Sequence, residues 1–388
     1  MADTLGQTVA ERRLNPHHSL SAGERGERTK VDVVDIQSLH RVPVAEVPSP
    51  AFELAPPRVL NPSTIPPHIL DAMRPGWFTG AFPAGTVRLT KLFDVYVTME
   101  GLVFTQDKKL VQQSITQHTP EECAQGLAQI LQAEQAQTVQ VVTPSSLLLR
   151  KRGEQNYGHW MVEILPKLWL AEEHLPLCSL VVPHLSGNFA RVLRDSVALS
   201  TSFVALYHEM GVQDVAFFKE LVVVDGLTNH GVYMSPLVFS RTDDMVARVP
   251  GAQARRLYLT RKNRARTIRN EDALITFLQE QGFLCLDPAE LTLLEQIKLF
   301  KNAECIVGVM GAAMTNIMFC RKGTRVINLA PGNMPDTFFY FIAGLRGLDY
   351  YEIRGKLCAE TESWDSPFEI ERDHLAHVLS LGPQGNAV

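Results

Sequence analysis

Residues 305–316 read Cys-Ile-Val-Gly-Val-Met-Gly-Ala-Ala-Met-Thr-Asn. The first five are apolar, which is typical of a strand buried on both faces of a parallel sheet. The small residues from Gly311 to Ala313 would let a helix begin close to the end of that strand, as in open α/β folds. We predict a strand over 305–309 and a helix from Gly311 onward.

The start of this helix is also a candidate ligand site. Free backbone amides and the helix dipole favour a phosphate group there. Close packing of the helix on the sheet would need the same small residues, so the pattern alone leaves both interpretations open. The turn matches neither the glycine pattern of dinucleotide-binding folds nor a P-loop.

The rest of the second half repeats this alternation of apolar strands and amphipathic helices. Thr292 and Glu295 have the spacing of a capping box, which predicts a helix that runs to Phe300. The other predicted strands are 257–260, 283–286, 325–329 and 350–353, and the other predicted helices are 270–281 and 338–345. Such alternation favours a mostly parallel sheet, so we expect a doubly wound α/β domain over residues 236–388.

A second α/β domain is expected over residues 31–235, after a mobile polar tail at 1–30. The many prolines between residues 31 and 83 predict extended, irregular wrapping before the domain proper. Its predicted strands are 87–92, 95–99, 102–105, 145–149, 180–182 and 221–224, and its predicted helices are 121–134 and 189–210. A mostly parallel sheet is expected here too.

The composition is that of an ordinary folded protein, since 45% of the 388 residues are hydrophobic and 20% are charged. The net charge of -5 argues against a broad surface for nucleic acid or anionic membranes. The six cysteines lack metal-ligand spacing, so we expect free thiols in a reducing compartment. No signal peptide or membrane span is evident, and we expect a cytoplasmic protein, with peripheral contact at the inner membrane left open.

Residues 156–163 read Asn-Tyr-Gly-His-Trp-Met-Val-Glu and follow a predicted buried strand. His159 and Glu163 are four residues apart, hence on one face of a helix. A carboxylate near an imidazole raises its basicity, which suits a general base that takes a proton from a sugar hydroxyl. A helix cap with a satisfied histidine would show the same residues. Pro166 is expected to kink or end this helix because proline has no N–H.

Residues 251–270 contain seven arginines and lysines and no acidic residue. Because the cluster follows a predicted strand, Arg261 could point into a cleft and bind a diphosphate through two parallel hydrogen bonds. A solvated surface is the plain alternative, and the scarcity of aromatic residues argues against nucleic acid as the partner. The chain has no Asp-x-Asp pair, so we expect no metal site, with phosphate charge neutralised by arginine and a helix dipole.

Four ordered motifs together resemble glycosyltransferase family 61, over about residues 87–381. They are Asn156-Tyr-Gly-His159-Trp-Met-Val-Glu163-Ile-Leu-Pro166; Leu257-Tyr-Leu-Thr-Arg261 with Arg266, Asn270 and Glu271; Glu295-Gln296 with Phe300 and Ala303; and Gly311-Ala312-Ala313-Met314-Thr315-Asn316. Within the family, the bacterial type that acts in polysaccharide biosynthesis is the expected subgroup, because no signal peptide or membrane span is evident.

The resemblance implies a GT-B-like fold, in which two doubly wound α/β domains face a cleft. It implies inverting, metal-independent transfer of a sugar from a nucleotide sugar, expected to be UDP-linked, to a glycan or glycolipid acceptor in polysaccharide or capsule biosynthesis. No other cofactor is implied. By analogy His159 and Glu163 are catalytic on the acceptor side, and Asn156, Glu295 and Gln296 are further site residues. The donor-binding residues, by the same analogy, are Arg261, Arg266, Met310, Gly311, Ala312, Thr315 and Asn316.

Met310 departs from the family pattern, which usually has histidine directly before the Gly-Ala pair. A thioether cannot donate a hydrogen bond to phosphate or carry a proton, so we expect a weaker donor contact that Met310→His would strengthen. A non-catalytic binding protein for nucleotide sugars or glycans is the main alternative, which turnover of a nucleotide sugar would exclude. A dinucleotide-dependent oxidoreductase is disfavoured because no GxGxxG turn follows an early strand.

Overall fold

The computed structural model describes residues 31–175, 178–202, 206–251, 253, 255–261, 265–359, 361 and 363–382. The predicted mobile tail at 1–30 lies outside the described residues. The described chain forms one ten-stranded sheet, one seven-stranded sheet and two small two-stranded sheets. Within it, no helix is long and apolar enough to cross a membrane.

The described residues form strands, α-helices, a π-helical turn and 3₁₀ helices. The strands are β1 Val33–Val34, β2 Arg41–Ser49, β3 Phe52–Glu53, β4 Arg58–Leu60, β5 Ala81–Phe82, β6 Gly85–Thr98, β7 Leu102–Phe104, β8 Leu110–Val111, β9 Gln140–Val142, β10 Ser146–Leu148, β11 Ser179–Pro183, β12 Leu206–Met210, β13 Ala216–Asp225, β14 Thr228–Asn229, β15 Tyr233–Met234, β16 Arg255–Leu259, β17 Phe283–Leu286, β18 Ala303–Val309, β19 Arg325–Pro331, β20 Asp349–Leu357 and β21 Phe368–Glu369. The α-helices are α1 Pro67–Trp77, α2 Pro120–Gln135, α3 Leu165–Glu172, α4 Gly187–Ser200, α5 Thr242–Ala247, α6 Glu271–Glu280, α7 Leu293–Phe300, α8 Phe338–Leu345 and α9 Arg372–Ser380. A π-helical turn covers His159–Ile164, and 3₁₀ helices cover Ile36–Ser38, Pro62–Thr64, Met99–Gly101, Gln112–Ser114, Pro236–Phe239, Pro288–Glu290 and Ala312–Phe319.

The first sheet is mixed, and the expectation of a mostly parallel sheet is wrong for this half. Its strands lie in the order β1-β8-β7-β6-β13-β10-β11-β12, with β2 paired to β6 and β9 paired to β13. β10 is parallel to β11 and β13, whereas β6 is antiparallel to β2, β7 and β13. β6, β7 and β8 follow one another without an intervening α-helix, and such short connections allow only antiparallel pairing.

Two predicted elements of the first half differ from the structure. The strands predicted before and after Asp94 form the single strand β6, which keeps its register with β13 across this residue although φ is 53° there. The helix predicted over 189–210 ends at Ser200, and its last part is strand β12, which pairs with β11. This segment forms a strand because it pairs with β11, and such tertiary contacts override a local helical pattern.

The proline-rich lead-in is more regular than expected. β2 contains Pro43 and Pro48 and has β6 as its single neighbour among the described strands, so a missing N–H on its outer side costs no ladder bond. α1 begins at Pro67, and proline is tolerated there because the first N–H of a helix has no partner within it. β4 pairs with β20 in the second sheet. The lead-in therefore contributes to both large sheets, and a domain boundary after residue 235 stays a prediction.

The second sheet confirms the predicted α/β class. β17, β16, β18, β19 and β20 lie side by side and all run parallel. The predicted capping box of α7 is present, because Thr292 Oγ1 accepts from the amide of Glu295 and Glu295 Oε2 accepts from the amide of Thr292. α8 covers Phe338–Leu345, the predicted range.

A large apolar cluster joins the two halves of the chain. It contains Trp160 and Trp169 from the first half and Phe319 and Phe341 from the second, all nearly inaccessible to solvent. None of the six cysteines forms a disulfide within the described residues, which agrees with the predicted thiols. This core fixes the positions of the loops that follow β10, β16, β18 and β19, and these loops carry the candidate site.

Candidate active site

A cavity of about 240 Å³ opens where loops of the two halves meet. The loops that line it follow strands β10, β16, β18 and β19, and the carboxyl ends of parallel strands are where α/β sheets usually bind ligands. Six predicted site residues line this cavity: Asn156, His159, Arg266, Gly311, Ala312 and Thr315. The cavity therefore brings together residues of separate sequence motifs.

A π-helical turn presents His159 to the cavity. Asn156 begins the turn, since its Oδ1 accepts from the amide of Gly158 at 2.8 Å and its carbonyl accepts from the amide of Trp160 at 2.9 Å. The indole of Trp160 is fully buried and donates to Ser196 Oγ at 2.8 Å, which anchors the turn in the core. Pro166 lies in the first turn of α3, where the backbone changes from π-helical to α-helical. Pro166 was predicted to kink or end the helix, and the π-helical turn ends at Ile164, two residues before it.

Glu163 is the centre of a buried hydrogen-bond network. Its Oε2 contacts Nδ1 of His159, as the sequence spacing predicts, and it also accepts from Nζ of Lys151 at 2.6 Å. Its Oε1 lies 3.3 Å from Nδ1 of His230. Lys151 Nζ also lies 3.1 Å from Oε1 of Gln117. A single carboxylate thus contacts two imidazoles and an ammonium group.

The sequence predicts that Glu163 raises the basicity of His159, but the surroundings of His159 have the opposite effect. Burial and the positive charge of Lys151 lower the pKa of His159 to about 4, and Glu163 compensates only in part. Burial alone would raise the pKa of Glu163, but Lys151, His230 and His159 hold it well below its usual range. At neutral pH Glu163 is ionised and His159 is neutral, with its Nδ1–H directed at Glu163 and a free lone pair on Nε2.

The ammonium of Lys151 would compete with a metal ion for this cluster. His159, Glu163 and His230 bring ligand-type atoms within 4.8 Å of one another. The ammonium of Lys151, however, already lies 2.6 Å from Glu163 Oε2 and 3.2 Å from His159 Nδ1. A divalent cation at the same atoms would face this fixed positive charge at short range. We therefore interpret the cluster as a proton-binding network.

Gly311 leaves room for the guanidinium of Arg261. A Cβ atom on Gly311 would lie 1.9 Å from Nη1 of Arg261, so any larger residue would displace this side chain. Arg261 Nε donates to the carbonyl of Ala265 at 2.6 Å. Arg261 thus lies directly behind the turn of small residues instead of among the residues that line the cavity.

Among the described residues of the basic cluster, Arg266 lines the cavity. Its backbone has φ of 63°, an unusual conformation for a residue other than glycine, and its amide donates to the carbonyl of Asp365 at 2.8 Å. Its Nε lies 3.4 Å from Asp365 Oδ1 without a hydrogen bond. Burial lowers the pKa of Arg266, although the guanidinium stays charged at neutral pH.

Some of the predicted residues near the turn at Gly311 line the cavity, and others support the residues that line it. Thr315 lines the cavity and is fully buried, and its Oγ1 has no hydrogen-bond partner in the described chain. Asn316 lies beneath it, accepts from the hydroxyl of Tyr157 at 2.6 Å and donates to Oε1 of Gln296 at 2.6 Å. Glu295 lies apart from the cavity, and its carboxylate caps α7. Glu295 is therefore a structural residue here, contrary to its place in the predicted site.

Met310 is also placed differently from the prediction. Its side chain is 1% exposed, belongs to the large apolar cluster and does not line the cavity. Met310→His would place an imidazole among apolar side chains, so the structure offers no basis for the stronger donor binding expected from the sequence.

Several residues that line the cavity were missed in the sequence. They are Gln117, Arg152, His230, Asp336, Phe338, Trp364 and Asp365. His230 lies in the turn between β14 and β15, where Val232 bonds back to Asn229. The local sequence offers little signal for these residues, although Arg152 lies in the loop that follows β10.

Lys151→Met is expected to shift the pH profile of activity if His159 acts as a base. Since the lowered pKa of about 4 keeps His159 neutral, wild-type kcat/KM should fall only as the pH approaches 4. Without the positive charge of Lys151 the pKa of His159 rises, although burial still holds it below its ordinary value, so the acid limb should move to higher pH. Lys91→Met, which removes a surface contact to Glu220, is the matched control. An unchanged acid limb in Lys151→Met would contradict this electrostatic assignment.

Comparison with known proteins gives two matches. Residues 157–327 match the model of a family described as Glycosyltransferase 61. A xylan glycosyltransferase of Arabidopsis thaliana is 31% identical over 130 residues, which is 31% of this chain and 26% of the length of that relative. The chain thus matches about a quarter of this curated relative. Both matches support the predicted resemblance to family 61 and the prediction of glycosyltransferase activity, and neither indicates the bacterial polysaccharide subgroup.

Proposed function

We propose that this protein is a glycosyltransferase that moves a sugar from a nucleotide sugar to a glycan or glycolipid acceptor. One observation carries this proposal: a neutral imidazole hydrogen-bonded to a buried carboxylate shares its cavity with a buried guanidinium. The imidazole of His159 can accept a proton, and the guanidinium of Arg266 can bind phosphate. The region that matches family 61 includes both residues.

His159 is the proposed general base. Its Nδ1–H is directed at Glu163, so Nε2 is left to accept the proton of an acceptor hydroxyl. Glu163 would then stabilise the imidazolium that forms, as a buried carboxylate does beside a catalytic histidine. Because both oxygens of Glu163 already contact cationic or N–H groups, we assign it a supporting role and do not propose it as a nucleophile.

The donor diphosphate is proposed to lie against Arg266 and the turn at Gly311. Arg266 supplies a buried positive charge, and the hydroxyl of Thr315, which lines the same cavity, has no hydrogen-bond partner among the described residues. The space that a side chain of Gly311 would fill holds the guanidinium of Arg261. Arg261 adds positive charge behind this turn. These groups support binding of a nucleotide sugar, for which we propose a UDP-linked form.

The proposed reaction is a single displacement that inverts the configuration at the sugar. The acceptor oxygen attacks C1, the bond from C1 to the phosphate oxygen breaks, and the proton of the acceptor passes to His159 Nε2. A cavity lined by loops of both halves is consistent with a GT-B-like arrangement, which we propose together with a place in polysaccharide or capsule biosynthesis. The xylan glycosyltransferase match supports a polysaccharide acceptor. A cytoplasmic location with peripheral membrane contact completes the proposal.

Nucleotide sugars can be screened by thermal unfolding, because a ligand that binds the folded state raises the melting temperature with concentration. Each stabilising donor is then tested for release of the nucleoside diphosphate with and without oligosaccharide acceptors. We expect at least one donor to stabilise the protein and to be turned over. Binding without turnover under all acceptors would favour the alternative of a non-catalytic binding protein, and no binding at all would contradict the donor site.

Turnover is expected to survive a chelator. The ammonium of Lys151 occupies the position beside Glu163, and arginines are the proposed partners of the diphosphate. Of the two aspartates on the cavity wall, Asp365 lies beside Arg266, and Asp336 accepts from the amide of Phe338 at 2.8 Å. The initial rate should therefore be the same in EDTA as in magnesium or manganese. A loss of rate in EDTA that either metal restores would show that the donor site has been misinterpreted.

A further inference from the structure

We propose that His230 is a second functional histidine of this cavity, which stays protonated and donates Nε2–H to the diphosphate that leaves the sugar. The proposal rests on the proposed function, since it names the group that stabilises the leaving phosphate. No sequence motif was found around His230. The structure brings it beside His159 on the wall of the cavity.

The ring of His230 is held in a defined orientation. Its Nδ1 lies 3.3 Å from Oε1 of Glu163, and its ring stacks on Phe338 with centroids 5.3 Å apart at an angle of 24°. The centroid of the His159 ring lies 5.0 Å away. Because Nδ1 faces Glu163, Nε2 is on the opposite edge of a ring that lines the cavity. An N–H at this position points away from the carboxylate and is available to a ligand.

The surroundings of the two histidines favour opposite charge states. Glu163 and Asp336 act on His230 and, despite burial and the charge of Lys151, raise its pKa. His159 has Lys151 at 3.2 Å from Nδ1, and its pKa is lowered. Pairs of titratable groups whose environments move their pKa values apart mark opposite roles in a reaction. His159 is thus suited to accept a proton and His230 to hold one.

In the proposed displacement, the electron pair of the breaking C1–O bond moves to the phosphate oxygen. His230 donates a hydrogen bond to that oxygen and keeps its proton, while the proton of the acceptor goes to His159. Atoms and charge balance without a further reactant. A preorganised cationic donor stabilises the negative charge that develops on this oxygen in the transition state more than it stabilises the ester oxygen of the ground state, which lowers the barrier.

The charge state of His230 can be measured directly. In uniformly ¹⁵N-labelled wild-type protein, two-bond ¹H–¹⁵N correlation spectra distinguish protonated from neutral imidazoles between pH 5 and pH 9. The signals are assigned with His230→Gln and His159→Gln. We expect both ring nitrogens of His230 to carry protons at pH 7 and His159 to be neutral. A neutral His230 at pH 7 would overturn the proposal.

Calorimetry with UDP, and with inorganic pyrophosphate as a probe that lacks the nucleoside, tests the contact with the leaving group. His230→Gln should weaken binding of both by about tenfold, because a charged donor is replaced by a neutral one. His230→Lys should recover part of this affinity. His184→Gln, which alters an exposed histidine beside Glu209, should bind like the wild type.

The outcomes separate this inference from the proposed function. If the wild type binds UDP and turns over a donor while His230→Gln binds pyrophosphate equally well, the inference is wrong and the proposed function stands. Equal losses of affinity in His230→Gln and His230→Lys would indicate that the shape of the His230 side chain matters and its charge does not. This result would also overturn the inference. If the wild type binds neither UDP nor pyrophosphate, the proposed donor site is wrong. The assignment of His230 to the leaving diphosphate is then wrong as well.

Discussion

His159→Gln is expected to lower turnover about a hundredfold or more, because it removes the group that accepts the acceptor's proton. Glutamine keeps a similar size and a polar end group but has no titratable nitrogen. Binding of the donor should change little, since Arg266 and Thr315 remain in place. The measurement is kcat at saturating donor, alongside donor affinity by calorimetry.

The control for this variant is His184→Gln, because His184 also lies near a glutamate but is exposed and outside the cavity. If His159→Gln is folded and turns over donor near the wild-type rate, the base lies elsewhere and the network around Glu163 is structural. A loss that appears only in KM for the acceptor would likewise remove His159 from the chemical step.

Glu163→Gln should lower turnover as well, but it is a less direct test. The carboxylate is almost fully buried and is the counter-charge of Lys151 and His230. Removing one partner of a buried ion pair typically costs about 3 to 5 kcal/mol of stability. Its turnover therefore has to be compared at a temperature where the folded fraction has been measured.

The His159–Glu163 contact could be predicted because it is local. Residues four apart on a helical turn lie on one face, and the contact forms although the turn is π-helical. Lys151 and His230 reach the same carboxylate from other parts of the chain, and His230 lies in a tight turn without helical or strand periodicity. The pKa of His159 is lowered mainly by burial and next by the charge of Lys151, and neither could be predicted from the local motif.

The same distinction holds for the fold. The capping box of α7 and the apolar strand β18 are local signals, and both elements formed as predicted. The pairing of β12 with β11 and of β4 with β20 depends on contacts between distant segments. Local pattern cannot predict such pairing, which is why β12 was predicted as the end of a helix and β4 as irregular chain.

Arg266→Ala is expected to weaken binding of a nucleoside diphosphate by about 1.5 to 3 kcal/mol, or roughly tenfold to a hundredfold. The guanidinium is mostly buried on the cavity wall and its Nε has no hydrogen-bond partner in the described chain, so a bound phosphate would satisfy it. Arg266→Lys should recover only part of the affinity, because an ammonium cannot make two parallel hydrogen bonds to phosphate. Calorimetry with UDP measures both variants.

Substitution of Arg266 is a more specific test of the donor site than substitution of Arg261. Arg261→Ala would also weaken binding, but it removes the contact to the carbonyl of Ala265, the residue directly before Arg266, and so disturbs two groups at once. Arg88→Ala, which breaks a surface ion pair with Glu46, is the matched control and should bind like the wild type. If Arg266→Ala binds UDP as tightly as Arg88→Ala does, the diphosphate does not lie against Arg266, and Arg152 is the other arginine among the described lining residues at which the donor would have to be placed.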